Sequence, residues 1–131
     1  MIDVLIVDDS PIMRAVLRKS LGLSGLALGT VHEASDGVEA LRVLGSANIG
    51  VVFADIHMPN MGGVELVEKM YAEEPLRRVP VVVVSSDASA AHNERLLNCN
   101  VKGVLKKPFR PEQIRAVLRS VMKSAGEGGG S

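Results

Sequence analysis

Apolar residues in this chain follow two periodicities that alternate from one end to the other. Residues 2–7 are apolar except for Asp3, residues 49–54 are apolar around Gly50, and residues 79–84 include Val81, Val82, Val83 and Val84 in succession. Apolar runs of this length, without polar alternation, predict parallel strands covered on both faces, and β-branched side chains suit such a pleated position. Residues 30–34 and 101–106 complete the strand set. Between these runs the spacing becomes helical. Ile12, Met13, Val16, Leu17 and Leu21 form one stripe, and Val38, Leu41 and Leu44 a second. Val64, Val67 and Tyr71 form a third, and Ile114, Val117, Leu118, Val121 and Met122 the last. These stripes predict helices over residues 11–21, after Asp36, over 64–72 and over 111–123. Residues 88–98 also read as a helix, but a thinly apolar one that leaves much of one face open.

The punctuation agrees with this alternation. Ser10 followed by Pro11 is an N-cap with proline at the first helical position. Asp36, followed three residues later by Glu39, makes a capping box with Asp standing in for Ser or Thr. Gly22, Gly25 and Gly29 break the chain before the second strand, and Pro75 marks the end of the third helix. Residues 55–63 contain Pro59, Gly62 and Gly63 and read as a loop. Five strand-helix alternations predict a doubly wound α/β fold: a five-stranded parallel sheet with right-handed crossovers and helices on both faces. In the flavodoxin-like strand order 2-1-3-4-5, the first and third strands are neighbours, and ligands bind beyond the strand C-termini where the order reverses. Residues 1–123 are expected to form the one domain. Residues 124–131, with Gly126 and Gly128 to Gly130, are expected to be a flexible tail.

Composition narrows the function classes. At 131 residues and 47% hydrophobic, the chain suits a single core. Its fifteen basic and fifteen acidic residues cancel, so no net field draws it to nucleic acid or to an anionic membrane. The N-terminus has no signal-peptide pattern and no apolar run reaches the ~20 residues of a membrane span, so a cytoplasmic protein is expected. Cys99 is the single cysteine, which excludes an internal disulfide and predicts a buried, inert thiol. Arg115, Arg119 and Lys123 read as a solvated helix face, Met58 and Met61 as loop packing, and His32 and His92 as surface residues without a role.

The candidate chemistry lies at strand ends. Asp8 and Asp9 close the first strand, Asp55 the third, Ser85 the fourth, and Lys106 and Lys107 follow the fifth. If the first and third strands pair, three carboxylates meet at one rim and repel, and a divalent cation relieves them. Oxygen ligands without histidine or thiolate spacing favour Mg²⁺ over zinc. A lysine can pair with a carboxylate at rest or with a phosphoryl group when one arrives. Asp9-Ser10-Pro11 alone would be an ordinary capped helix start, and neighbouring lysines on a strand point to opposite faces.

Four motifs occur in order: Val7-Asp8-Asp9-Ser10, residues 55–63 (Asp-Ile-His-Met-Pro-Asn-Met-Gly-Gly), the apolar strand ending at Ser85, and Lys107-Pro108-Phe109. Through them, residues 2–123 resemble the receiver domain of two-component response regulators, the CheY-like family. The resemblance implies that Asp55 is the phosphoacceptor. Asp8, Asp9, Asp55 and the backbone carbonyl of His57 would hold Mg²⁺, and Ser85 and Lys107 would bind phosphoryl oxygens. The resemblance and the following Pro108 select Lys107 over Lys106. The resemblance further implies a sensor histidine kinase or histidine phosphotransfer protein as donor, and an output protein that reads the face of the fourth helix, fifth strand and fifth helix. The only chemistry expected is the chain's own phosphorylation and dephosphorylation. Three positions depart from the family pattern: Val104 stands where Tyr or Phe is usual, Ser86 where Ala or Gly is, and His57 two residues past the acceptor. Rival readings are a receiver cut from a longer regulator, a pseudo-receiver that binds without phosphorylation, and a haloacid-dehalogenase-like Mg²⁺ phosphatase. The last wants an acid/base aspartate at position 57.

Overall fold

A computed structural model describes residues 1–87 and 93–129, with side-chain surroundings through residue 123. In chain order it contains β1 (Ile2–Val7), α1 (Pro11–Leu23), β2 (Leu28–Ala34), α2 (Gly37–Ser46), β3 (Ile49–Asp55) and α3 (Gly63–Ala72). A 3-10 turn (Leu76–Arg78), β4 (Val81–Ser85), α4 (Glu94–Leu97), β5 (Val101–Lys106) and α5 (Pro111–Gly129) follow. The strands form one parallel sheet in the order β2-β1-β3-β4-β5. The doubly wound class and the strand order are those expected.

The unbroken apolar runs follow from two covered faces. Side chains alternate along a strand, so Leu5, Val7, Val52, Ala54, Val81 and Val83 pack against Leu44, Leu66, Val67 and Met70 of α2 and α3. Val4, Ile6, Val51, Phe53, Val82 and Val84 pack against Leu17, Leu21, Ile114, Leu118 and Val121 of α1 and α5. Each fully buried Leu or Phe contributes about 1.5–3 kcal/mol, and the central strands use both faces.

Helix caps form as the sequence predicts. The Ser10 hydroxyl accepts from the Met13 N–H and the Asp36 carboxylate from the Glu39 N–H. The Glu39 side chain, however, accepts from the Ser35 hydroxyl at 2.8 Å. The buried stripes are narrower than expected. On α1, Leu17, Ser20 and Leu21 are buried, while Ile12 is 77% and Val16 42% exposed. Val38 and Tyr71 are likewise exposed, and Ala40, Leu66 and Met70 are buried in the contacts. A helix lying flat on a sheet buries only the arc that faces it.

Several boundaries differ. β2 begins at Leu28, residues 76–78 turn before β4 begins at Val81, and α5 continues through Gly129 instead of stopping at Lys123. The expected helix over 88–98 is described as α4 only, since residues 88–92, His92 among them, lie outside the described residues. Cys99 is half-buried, its Sγ 3.3 Å from the Arg95 carbonyl oxygen; burial, then the Glu68 charge, pushes the thiol up. Among the described residues no helix is long and apolar enough to cross a membrane.

Candidate acidic site at the C-terminal rim of the sheet

Val7 of β1 pairs with Ala54 of β3, so Asp8, just past the end of β1, lies beside Asp55, the last residue of β3. Asp8, Asp9 and Asp55 each offer a carboxylate oxygen, all within 4.8 Å of one another. Their environments differ. Asp8 is 1% exposed, Asp55 is half-buried and Asp9 is exposed. Lys107 joins them from the end of β5, its Nζ 3.2 Å from Asp8 Oδ2 and 3.5 Å from Asp55 Oδ2. Lys106 is exposed, so of the adjacent lysines the fold brings Lys107 to the acids.

Asp8 is held at every polar atom. Its N–H donates to the Ala34 carbonyl at 3.1 Å, Oδ1 accepts from the Ser10 N–H at 2.9 Å, and Oδ2 accepts from Lys107. The Asp8 carbonyl accepts from Arg14 Nη1 at 2.7 Å. Arg14 is in turn oriented by Glu33 at 2.9 Å, which also binds Arg18. Burial pushes the Glu33 carboxyl up, but the bonds from Arg18 and Arg14 outweigh it and hold the group below the usual carboxylate range.

Asp55 is the uncomfortable acid of the set. Burial pushes its carboxyl up, Lys107 opposes that, and the Asp8 charge adds to the rise, so the net position lies above the usual range. Oδ1 accepts from the Ile56 N–H at 2.8 Å, which turns Oδ2 toward Lys107. Ser85, 1% exposed, ends β4 one residue beyond Val84, the partner of Asp55 in the sheet. Its Oγ accepts from the Asp87 N–H at 3.0 Å, and its carbonyl accepts from the Lys107 N–H at 2.9 Å. The ends of β4 and β5 are thereby tied together. Val104 lies partly exposed on β5.

The loop after Asp55 is closed by the Gly63 N–H donating to the Ile56 carbonyl at 2.9 Å. Inside it His57 is exposed, Met61 is buried and Met58 packs against the core. Asn60 adopts a left-handed backbone, φ 64°, and its Nδ2 donates to Asp36 Oδ2 at 2.7 Å. Reading the sequence alone missed two participants here, Arg14 and Asn60. Asn after Pro59 in a glycine-rich loop is a turn signal, but its partner is 24 positions away.

The donor set fits a hard divalent ion. All three side chains supply oxygen, and ligands on an octahedral ion with ~2.0–2.1 Å bonds lie about 3–4 Å apart, inside the 4.8 Å that bounds the three oxygens here. Three carboxylates facing one ammonium leave net negative charge for a cation to offset.

A family profile for the response regulator receiver domain matches residues 4–119. A CheY homolog of Campylobacter jejuni, a chemotaxis protein, is 34% identical over 126 residues, 95% of each chain. The structure of the chemotaxis response regulator CheY4 of Vibrio cholerae aligns with a TM-score of 0.80 at 30% identity, covering 92% of this chain and 98% of that one. The receiver domain of a Pseudomonas aeruginosa sensor histidine kinase, solved with a magnesium ion coordinated in its active site cleft, aligns with a TM-score of 0.78 at 25% identity. That alignment covers 92% of this chain and 97% of that one.

Proposed function

The chain belongs to the response regulator receiver family as a CheY-like module of two-component signalling, and from that premise we propose that Asp55 accepts a phosphoryl group and that its phosphorylated form alters binding to a partner protein. The observation that carries this reading is the position of Lys107, whose ammonium lies between the Asp8 and Asp55 carboxylates. In our reading a sensor histidine kinase or histidine phosphotransfer protein is the donor. Asp8, Asp9, Asp55 and the His57 carbonyl would hold Mg²⁺, which when bound offsets the charge on the transferring group.

The chain's own residues perform the remaining work. Asp55 Oδ2 attacks phosphorus as the bond from phosphorus to the donor's imidazole nitrogen breaks and the donor departs with its electron pair. Lys107 exchanges its contact with Asp55 for a phosphoryl oxygen, and the Ser85 hydroxyl donates to another. Phosphoryl transfer depends on positioning and charge neutralisation more than on covalent assistance, which suits a site made of acids, an amine and a hydroxyl.

Movement of Ser85 and Lys107 toward the new dianion would strain the link between the ends of β4 and β5 and bias the α4, β5 and α5 face. Reversing a 1:99 equilibrium takes about 5.5 kcal/mol, within reach of a few hydrogen bonds to a charged group at about 1.5–3 kcal/mol each. With Val104 in place of an aromatic, the coupling runs through that backbone link. The output is contact with another protein, of chemotaxis or phosphorelay type, in the cytoplasm. Mass spectrometry after incubation with acetyl phosphate and Mg²⁺ tests the proposal. One added phosphate is expected on the native chain and none on Asp55→Asn; labelling at another residue would overturn it.

A further inference from the structure

We propose that Asp36 and Asn60 form a latch that positions the loop between β3 and α3, and with it the His57 carbonyl, for metal binding beside Asp55. The inference rests on the reading of the site given above and adds two positioning residues to it. The Asp36 carboxylate is divided between two tasks. Oδ1 accepts from the Glu39 N–H at 2.9 Å and caps α2, while Oδ2 accepts from Asn60 Nδ2 at 2.7 Å. A helix cap needs only the first of these bonds.

The second bond holds a residue in an uncommon backbone state. Asn60 has φ 64°, which Asn tolerates better than most residues. Next to it the Gly37 N–H donates to the Met61 carbonyl at 2.9 Å, and a Cβ on Gly37 would come within 2.7 Å of Met61 Cγ. The loop is therefore pinned by Asn60 on Asp36, by Met61 on Gly37, and by closure of Gly63 onto Ile56. His57 lies in the span between those pins.

The end of β2, just before the Asp36 cap, also supports the other half of the site. Two residues before Asp36, the Ala34 carbonyl accepts the Asp8 N–H at 3.1 Å. The stretch from Ala34 to Asp36 thus contacts both Asp8 and the loop after Asp55, so the candidate ligands at the ends of β1 and β3 share a brace. Groups bonded directly to metal ligands change metal affinity by about 10–100-fold when removed, and a latch acting through the loop backbone is expected at the low end of that range.

The test separates the latch from the cap. Asp36→Ser keeps an oxygen able to cap α2 but cannot reach Asn60. Asn60→Gly keeps access to the left-handed backbone and removes the amide. Mg²⁺ affinity of the full chain is measured from amide chemical shifts at residues 8–9 and 55–57, with the acetyl phosphate reaction run alongside. We expect each single variant to bind Mg²⁺ about tenfold more weakly, the double variant to be no weaker than either single, and phosphorylation to recover at high Mg²⁺. Wild-type Mg²⁺ affinity in both singles, or losses that multiply in the double, would overturn the latch. Asn60 is exposed, so Asn60→Gly carries the test even where Asp36→Ser does not fold. A native chain that takes neither Mg²⁺ nor phosphate defeats the reading of the site, and the latch's role with it. A native chain that takes both while the variants match it defeats the latch alone.

Discussion

At the scale of single residues, Asp55 carries its charge where burial and the neighbouring Asp8 resist it. The folded state raises this carboxyl above its unfolded value, so at a pH above the unfolded value folding bears a cost. As pH falls through the raised folded value and then the unfolded one, the group becomes neutral in both states and the cost vanishes. Asp55→Asn is therefore expected to raise Tm at neutral pH. The difference should shrink to nothing near pH 3, below the usual carboxylate range. Thermal melts of both proteins across that range check the sign; a variant less stable than the native chain at neutral pH would contradict it. Arg14 shows the converse arrangement, a buried-side donor that satisfies the Asp8 carbonyl and is itself fixed by Glu33.

Among the elements, α1 separates what periodicity can and cannot tell. The spacing of Ile12, Met13, Val16, Leu17 and Leu21 locates a helix, and the helix is there. Which of those side chains face the sheet depends on how the helix lies against β1 and α5, and Leu17 and Leu21 are the ones chosen. Leu17→Ala should cost about 2–5 kcal/mol through lost burial and a residual cavity. Ile12→Ala should change stability by no more than about 0.5 kcal/mol. Urea melts of the two variants test this, and a large loss for Ile12→Ala would show that its side chain is packed. At the end of β5 the same distinction separates Lys106 from Lys107, since only Lys107 reaches the acids at the ends of β1 and β3.

For the whole molecule, a ligand that binds the folded chain alone stabilises it by an amount set by its concentration relative to Kd, about 1.4 kcal/mol at tenfold excess. Mg²⁺ should therefore raise Tm in a concentration-dependent way. Asp9→Asn, altering an exposed residue, should leave Tm without Mg²⁺ nearly unchanged and weaken that rise; an equal rise in the variant would remove Asp9 from the ion's ligands.

Strand and helix alternation, the caps at Ser10 and Asp36, and the delivery of Asp8, Asp55 and Ser85 to strand ends were all determined by the sequence itself, because periodicity, capping and turn chemistry act over a few neighbouring residues. The tertiary structure alone decided which face of α1 is buried, how Arg14 braces Asp8, and how Asn60 meets Asp36. Arg14 is oriented for Asp8 by Glu33, 19 positions away, and Asn60 meets Asp36 across 24, so only the packing of helices on a sheet in the order β2-β1-β3-β4-β5 brings these groups within bonding distance.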